Sequence, residues 1–192
     1  MNYQDLPLKL LDHPFYQAWT RGEVSETELA HYGRAYLDFV ALLPDLWQKV
    51  FTELDLEKEG VSVVQEEREH IDLWQAWTSK LTPVVKYPKL AILLSVLKQM
   101  TPSELAGAIH AFEVQQPAVS ESKQAGLIAH YGFTKPETKY FDEHMGETEE
   151  KHIAFGKLVA SRCDRGQFES GFKKGSELYY QTLDQFEVEC SE

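Results

Sequence analysis

Two glutamates stand three residues ahead of histidines, Glu67-x-x-His70 and Glu149-x-x-His152, and a third glutamate, Glu113, lies between the pairs along the chain. Carboxylate oxygens can bridge two cations and offset their charge, while imidazole nitrogen favours first-row transition metals over magnesium or calcium. Two Glu-x-x-His pairs plus a separate inward glutamate make most of the donor pattern by which helical proteins hold two iron or manganese ions. Each residue also has a plainer role. A run such as QEEREH is usually a solvated helix face, and a single histidine on an apolar stripe is usually a hydrogen-bonded core residue. Glu113 by itself can accept a bond from a tyrosine. Their conjunction is what points to metal: several carboxylates on buried faces repel one another and shift toward protonation unless a cation sits among them.

That argument requires helices that turn these residues inward. Leu73, Trp74, Trp77 and Leu81 recur at the spacing of one buried helix face, and the stripe extends back to His70 and then to Glu66 or Glu67, a choice that spacing leaves open. His152, Phe155 and Val159 form a second stripe with Glu149 one turn earlier, and Leu105, Ile109 and Glu113 form a third.

The remaining pattern is helical nearly throughout. SETE at 25–28 reads as a capping box ahead of Leu29, Tyr32, Tyr36, Val40 and Leu43, with a shorter helix through HPFYQAW before it and another around DLWQKVFTEL after Pro44. Then come the helix over 60–81 and one through KYPKLAILLSVLKQM. TPSE at 101–104 starts a long helix over 102–130 that Pro117 should kink, and TKPE at 134–137 starts another over 135–163. A last helix runs through ESGFKKGSELYYQTLDQF. No segment reads as a strand and no linker divides the chain, so the expectation is an all-α single domain over residues 1–192.

Bulk properties exclude other classes. A formal charge of −12 disfavours nucleic-acid and anionic membrane partners, and no basic stripe offsets it. The longest apolar run, LAILLSVL, is too short to span a bilayer, and MNYQDLPLKLLDH lacks a secretory start, which leads to the expectation of a cytoplasmic protein. Cys163 and Cys190 are too few for a disulfide framework or a cysteine-rich zinc site.

HPFYQAWTRGEVSETELAHYGRAYLDFVALLPDLW, HIDLWQAW, AFEVQQPAVSESKQAGLIAHYGF and YFDEHMGETEEKH resemble, in order, segments of the heme-oxygenase-like dimetal proteins typified by the chlamydial protein associating with death domains. The resemblance runs from His13 to the last helix. It implies a bundle of about seven helices around a central cavity, a homodimer, and kinship with thiaminase and pyrroloquinoline-quinone synthase branches. Members of the nearest branch hold two metals, and the matching positions here are Glu66, His70, Glu113, His144, Glu149 and His152, which favours Glu66 over Glu67. The metals implied are iron, or iron with manganese, used with molecular oxygen and an external reductant. The branch includes a folate-pathway enzyme that makes para-aminobenzoate from its own side chains. The tyrosine that supplies its ring corresponds to Tyr16, and the lysine that supplies its amino group to Lys123.

Two departures from the family carry structural expectations. QEEREH is shorter than the family's broken segment and reads as continuous helix. His144 and His152 are eight residues apart, one more than in the family, which displaces them by about 80° around an ideal helix. They converge only if the helix absorbs an extra residue in a π-bulge, for which Gly146 is the place. Two other readings remain: an oxygenase of the same fold acting on a separate small molecule with Tyr16 merely lining its pocket, and a metal-free helical binding protein. A thiaminase-like hydrolase is disfavoured, because neither cysteine lies in a segment that supplies a pocket nucleophile.

Overall fold

The computed structural model describes residues 1–145 and 147–186, with backbone alone over 147–154. Helices account for all regular structure among the described residues: α1 (Pro14–Arg21), α2 (Glu26–Val40), α3 (Leu43–Glu53), α4 (Glu57–Thr78), α5 (Ala91–Gln99), α6 (Pro102–Glu113), α7 (Gln116–His130), α8 (Lys139–Glu143), α9 (Glu147–Arg162) and α10 (Arg165–Thr182). The all-α expectation holds. The segment count exceeds the implied seven partly because two expected helices are each broken in two.

The first break separates α6 from α7 at Val114 and Gln115. Pro117 has no N–H for the Glu113 carbonyl four residues back, and its ring collides with that carbonyl in a continuous helix, so a stop replaces the expected kink. Gln115 bridges the gap: its amide donates to the Ala111 carbonyl and its side-chain oxygen accepts from the Leu10 N–H. Glu113 thereby becomes the last residue of α6.

The second break falls between α8 and α9. Instead of one helix over 135–163, Thr134 and Glu137 cap a 3-10 turn, α8 ends at Glu143, and His144 leaves helical geometry at φ −98° and ψ 16°. His144 is therefore oriented by its own turn rather than by the register of α9. Gly146, where a bulge was expected, lies outside the described residues.

Two other local readings need correction. The helix read over 60–81 runs over 57–78, with QEEREH continuous inside it. At SETE only half the box forms: Ser25 accepts from the Glu28 N–H, while Glu28 Oε1 pairs with His31 Nδ1 at 2.6 Å.

Three contacts matter for the site. α6 and α10 touch through backbone: a Cβ on Gly171 would sit 1.9 Å from the Glu104 carbonyl oxygen, and one on Gly107 2.1 Å from that of Phe168. α4 is tied to α2 by the Trp74 indole N–H, which donates to the Gly33 carbonyl at 2.8 Å. α1 is tied to α7 by the Trp19 indole N–H, which donates to the Lys123 carbonyl at 3.2 Å. Trp19, Trp74 and Trp77 lie wholly inside one core. No helix among the described residues is long and apolar enough to cross a membrane.

Candidate active site

Tyr16 is held by a short helix with defined ends. His13 caps α1, Pro14 occupies its first position, and Gly22 ends it in the left-handed region at φ 75°. One face of α1 then turns Phe15, Tyr16 and Trp19 into the core, with Tyr16 only 2% exposed. Facing it on α2 are Tyr32 and Tyr36, one turn apart on the apolar stripe and with ring centres 4.3 Å apart. Lys123 enters from α7 and is 7% exposed, where an isolated helix lysine would be expected at the surface.

These groups meet in one polar cluster. The Tyr16 and Tyr32 hydroxyls are 2.7 Å apart, and Lys123 Nζ donates to the Tyr32 hydroxyl at 2.5 Å. Nζ also lies 4.5 Å from the centre of the Tyr16 ring and 4.8 Å from that of Tyr32. Phe186 closes the cluster, its ring centre 5.3 Å from that of Tyr32 and 5.2 Å from that of Phe15. Burial pushes the Lys123 ammonium well below the usual lysine range, because an ionised group has no water there to solvate it. The same desolvation raises the phenols of Tyr16, Tyr32 and Tyr36 above theirs. The pocket thus favours a neutral amine beside neutral phenols. Tyr32 and Tyr36 appear in the sequence reading only as stripe residues. Their hydroxyls on an otherwise apolar face were the available signal, since a buried phenol needs a partner.

On the far side of Trp74 lies a second constellation. The ring of Tyr140 on α8 is 4.8 Å from that of Trp74, 5.8 Å from that of His70 and 4.4 Å from that of His144. The two imidazoles are 4.4 Å apart, both nearly fully buried. His144 Nδ1 lies 2.8 Å from the Tyr140 carbonyl oxygen, which can only accept, so Nδ1 carries a hydrogen and Nε2 is the nitrogen that bears the lone pair in the neutral ring. His70 Nδ1 lies 3.3 Å from Glu67 Oε2, the arrangement by which a carboxylate orients an imidazole and raises the basicity of its other nitrogen. Glu67 therefore takes the buried position behind His70, while Glu66 lies on the wall of a cavity of about 670 Å³. His70, Glu69, Asp72, Glu143 and Lys139 share that wall.

Glu113 is 6% exposed at the C-terminal end of α6, where the helix dipole disfavours negative charge. Beside it are Trp47, Val63, His110 and Phe155. Among the described residues no three histidine, cysteine, aspartate or glutamate side chains come together as a metal cage. Two of the six candidate ligands, Glu149 and His152, lie outside the residues whose side chains are described. Tyr16 and Lys123 are brought together, as are His70 and His144. Glu66 stands on the cavity wall, and Glu113 lines an adjoining recess that shares Val63 and Phe155 with that cavity.

No family profile matches the chain. Individual proteins do, among them three named 4-aminobenzoate synthase. That of Chlamydia muridarum is 28% identical over 201 residues, covering 92% of this chain and 84% of its own length. That of Nitrosomonas europaea is 30% identical over 164 residues, covering 71% and 67%. That of Chlamydia trachomatis is 29% identical over 154 residues, covering 70% and 67%. The aligned lengths exceed any one helix or loop and require agreement over most of the bundle. By this likeness, the chain belongs to the 4-aminobenzoate synthase family.

Proposed function

We propose that this protein makes para-aminobenzoate from its own Tyr16 and Lys123. The carbon skeleton of para-aminobenzoate is that of a tyrosine side chain, the ring plus Cβ, with the two substituents para to each other. A nitrogen must take the place of the phenol oxygen, which leaves as water, the Cε–Nζ bond of the lysine that donates it must break, the Cα–Cβ bond must break, and Cβ must be oxidised to the carboxyl carbon with molecular oxygen as the oxidant. The observation that carries this reading is the Tyr16–Tyr32–Lys123 cluster, in which the lysine nitrogen lies one hydroxyl away from the phenol oxygen of Tyr16.

The chain's residues have distinct tasks in this reading. Tyr16 supplies ring and Cβ. Lys123 supplies nitrogen as a neutral amine, the nucleophilic form that burial favours. Tyr32 holds the amine and the phenol in register and can pass a proton between them. Trp19 fixes the backbone that carries Lys123, and the packed aromatic walls exclude water.

The donor chemistry on the other side of Trp74 suits a pair of transition metals. His70 and His144 have their Nδ1 atoms beside acceptors, and Glu113 adds a buried carboxylate at the negative end of a helix. Glu66, His70, Glu113 and His144, with Glu149 and His152, would hold them, and Glu67 would orient His70. Bound iron, or iron with manganese, would supply oxygen activation with electrons from an external reductant. A protein that consumes its own side chains yields at most about one product per chain.

The test is mass spectrometry of intact protein and its peptides after exposure to oxygen with iron and reductant. Loss of the Tyr16 side chain together with released para-aminobenzoate is expected. Product from protein whose Tyr16 remains intact would defeat the reading and favour a separate small-molecule substrate, for which the cavity beside His70 offers room.

A further inference from the structure

We propose that His13 is a positioning residue for Tyr16, capping the short helix that carries the phenol through a single tautomer of its ring that the turn at Leu183–Gln185 selects. Tyr16's role is taken from the proposed function. The geometry of the cap is independent of it.

The Phe15 N–H reaches His13 Nδ1 at 3.1 Å, and since an amide only donates, Nδ1 must be the accepting nitrogen. Nε2 then carries the hydrogen and donates to Asp184 Oδ1 at 3.1 Å. The edge of the Tyr180 ring closes the recess, with ring centres 4.6 Å apart. The capped state therefore requires a neutral imidazole with its hydrogen on Nε2. Rotating or protonating the ring removes the acceptor.

The first turn of α1 depends on this residue twice. Pro14 has no N–H, the Phe15 N–H goes to His13 Nδ1, and the Gln17 N–H goes to the His13 carbonyl at 3.0 Å. Tyr16 sits between those two amides in a helix of eight residues. Asparagine, aspartate or serine caps a helix as well without any tautomer requirement, so a histidine here needs another reason. Its second nitrogen supplies one, because it reaches the turn at Leu183–Gln185, immediately before the Phe186 that closes the aromatic cluster. One ring thus joins the start of the Tyr16 helix to the segment that covers its pocket.

The experiment compares wild type with His13→Ala, His13→Asn, Asp184→Ala and Asp184→Asn. Amide exchange at Phe15 and Gln17 is read by NMR on metal-free protein, and para-aminobenzoate released per chain is read on iron-loaded protein. In His13→Ala, exchange at Phe15 should accelerate by about tenfold and product should fall by a similar factor with metal content unchanged. His13→Asn should recover most of both, because asparagine restores the acceptor. Asp184→Ala should accelerate Phe15 exchange by roughly threefold, and Asp184→Asn should not, since its side-chain oxygen still accepts from Nε2. Wild-type exchange at Phe15 in both alanine variants, or product equally depressed in His13→Asn and His13→Ala, would overturn the proposal. If wild type makes no para-aminobenzoate, the proposed function fails, and the exchange measurements still decide the cap.

Discussion

The two halves of the site, divided by Trp74, treat polar groups in opposite ways. Around Tyr16 the hydroxyls and amine are packed against rings, and the favoured forms are all neutral. Around His70 and His144 the imidazoles are oriented by acceptors, acids are present in excess, and a cavity opens beside them. The first arrangement would suit residues that react, because a neutral buried amine is nucleophilic. The second would suit residues that bind a cation, because oriented nitrogens and carboxylates around one cavity are donors that a transition metal favours. Tyr140 touches Trp74 and both histidines and also acts on the phenols of Tyr16 and Tyr32, helping to raise them, so the halves adjoin through this one ring.

Breaking the dry half should give the largest effect. Tyr16→Phe keeps the ring and removes the phenol, so para-aminobenzoate release should fall to background while metal content by elemental analysis should equal that of wild type. Lys123→Met keeps length and removes the amine. It should also abolish product, with a melting temperature equal to or above that of wild type, because an amine whose ionisation is suppressed by burial is replaced by an apolar chain. A lowered melting temperature with retained product would show that Lys123 is structural.

Breaking the wet half should separate binding from reaction. Glu113→Ala and His144→Ala should each lose at least one metal ion per chain by elemental analysis, and product should fall by about a hundredfold or more. The Tyr16 cluster should keep its hydrogen-exchange protection. Full metal retention in both variants would remove these residues from the ligand set.

A substitution remote from both halves sharpens the division. Gly171→Ala places a methyl group against the Glu104 carbonyl and must part α6 from α10, at about 3 kcal/mol by denaturant unfolding. Because α6 carries Glu113, metal affinity should weaken in the folded fraction more than the Tyr16 cluster is disturbed.

The smallest effect is a pH dependence. Burial lowers the pKa of His13 from its ordinary value, with Asp184 opposing. The stability it contributes is therefore fully present above the unfolded pKa near 6.5 and is lost as pH falls through the lowered folded value. The difference between wild type and His13→Asn should change by under about 1 kcal/mol between pH 8 and pH 5, measured by denaturant unfolding.

The sequence by itself determined the helical character, most helix starts and the residue types of both halves. Those features are local: capping residues, proline positions and apolar periodicity act within a few residues and are read directly. TPSE and TKPE formed the capping boxes expected of them. Spacing also identified the inward stripe of α4, but could not separate Glu66 from Glu67, which are one residue apart and both within a turn of His70. Only the tertiary structure put Glu67 behind His70 and Glu66 on the cavity wall with Lys139 and Glu143 of α8, since that depends on which elements pack against each side of α4. It also decided that Lys123 is buried and that Tyr32 joins it to Tyr16, contacts spanning 91 and 16 residues of chain. A periodic pattern says which face of a helix turns inward. Which hydroxyl meets which amine depends on how separate helices pack, and no single segment carries that information.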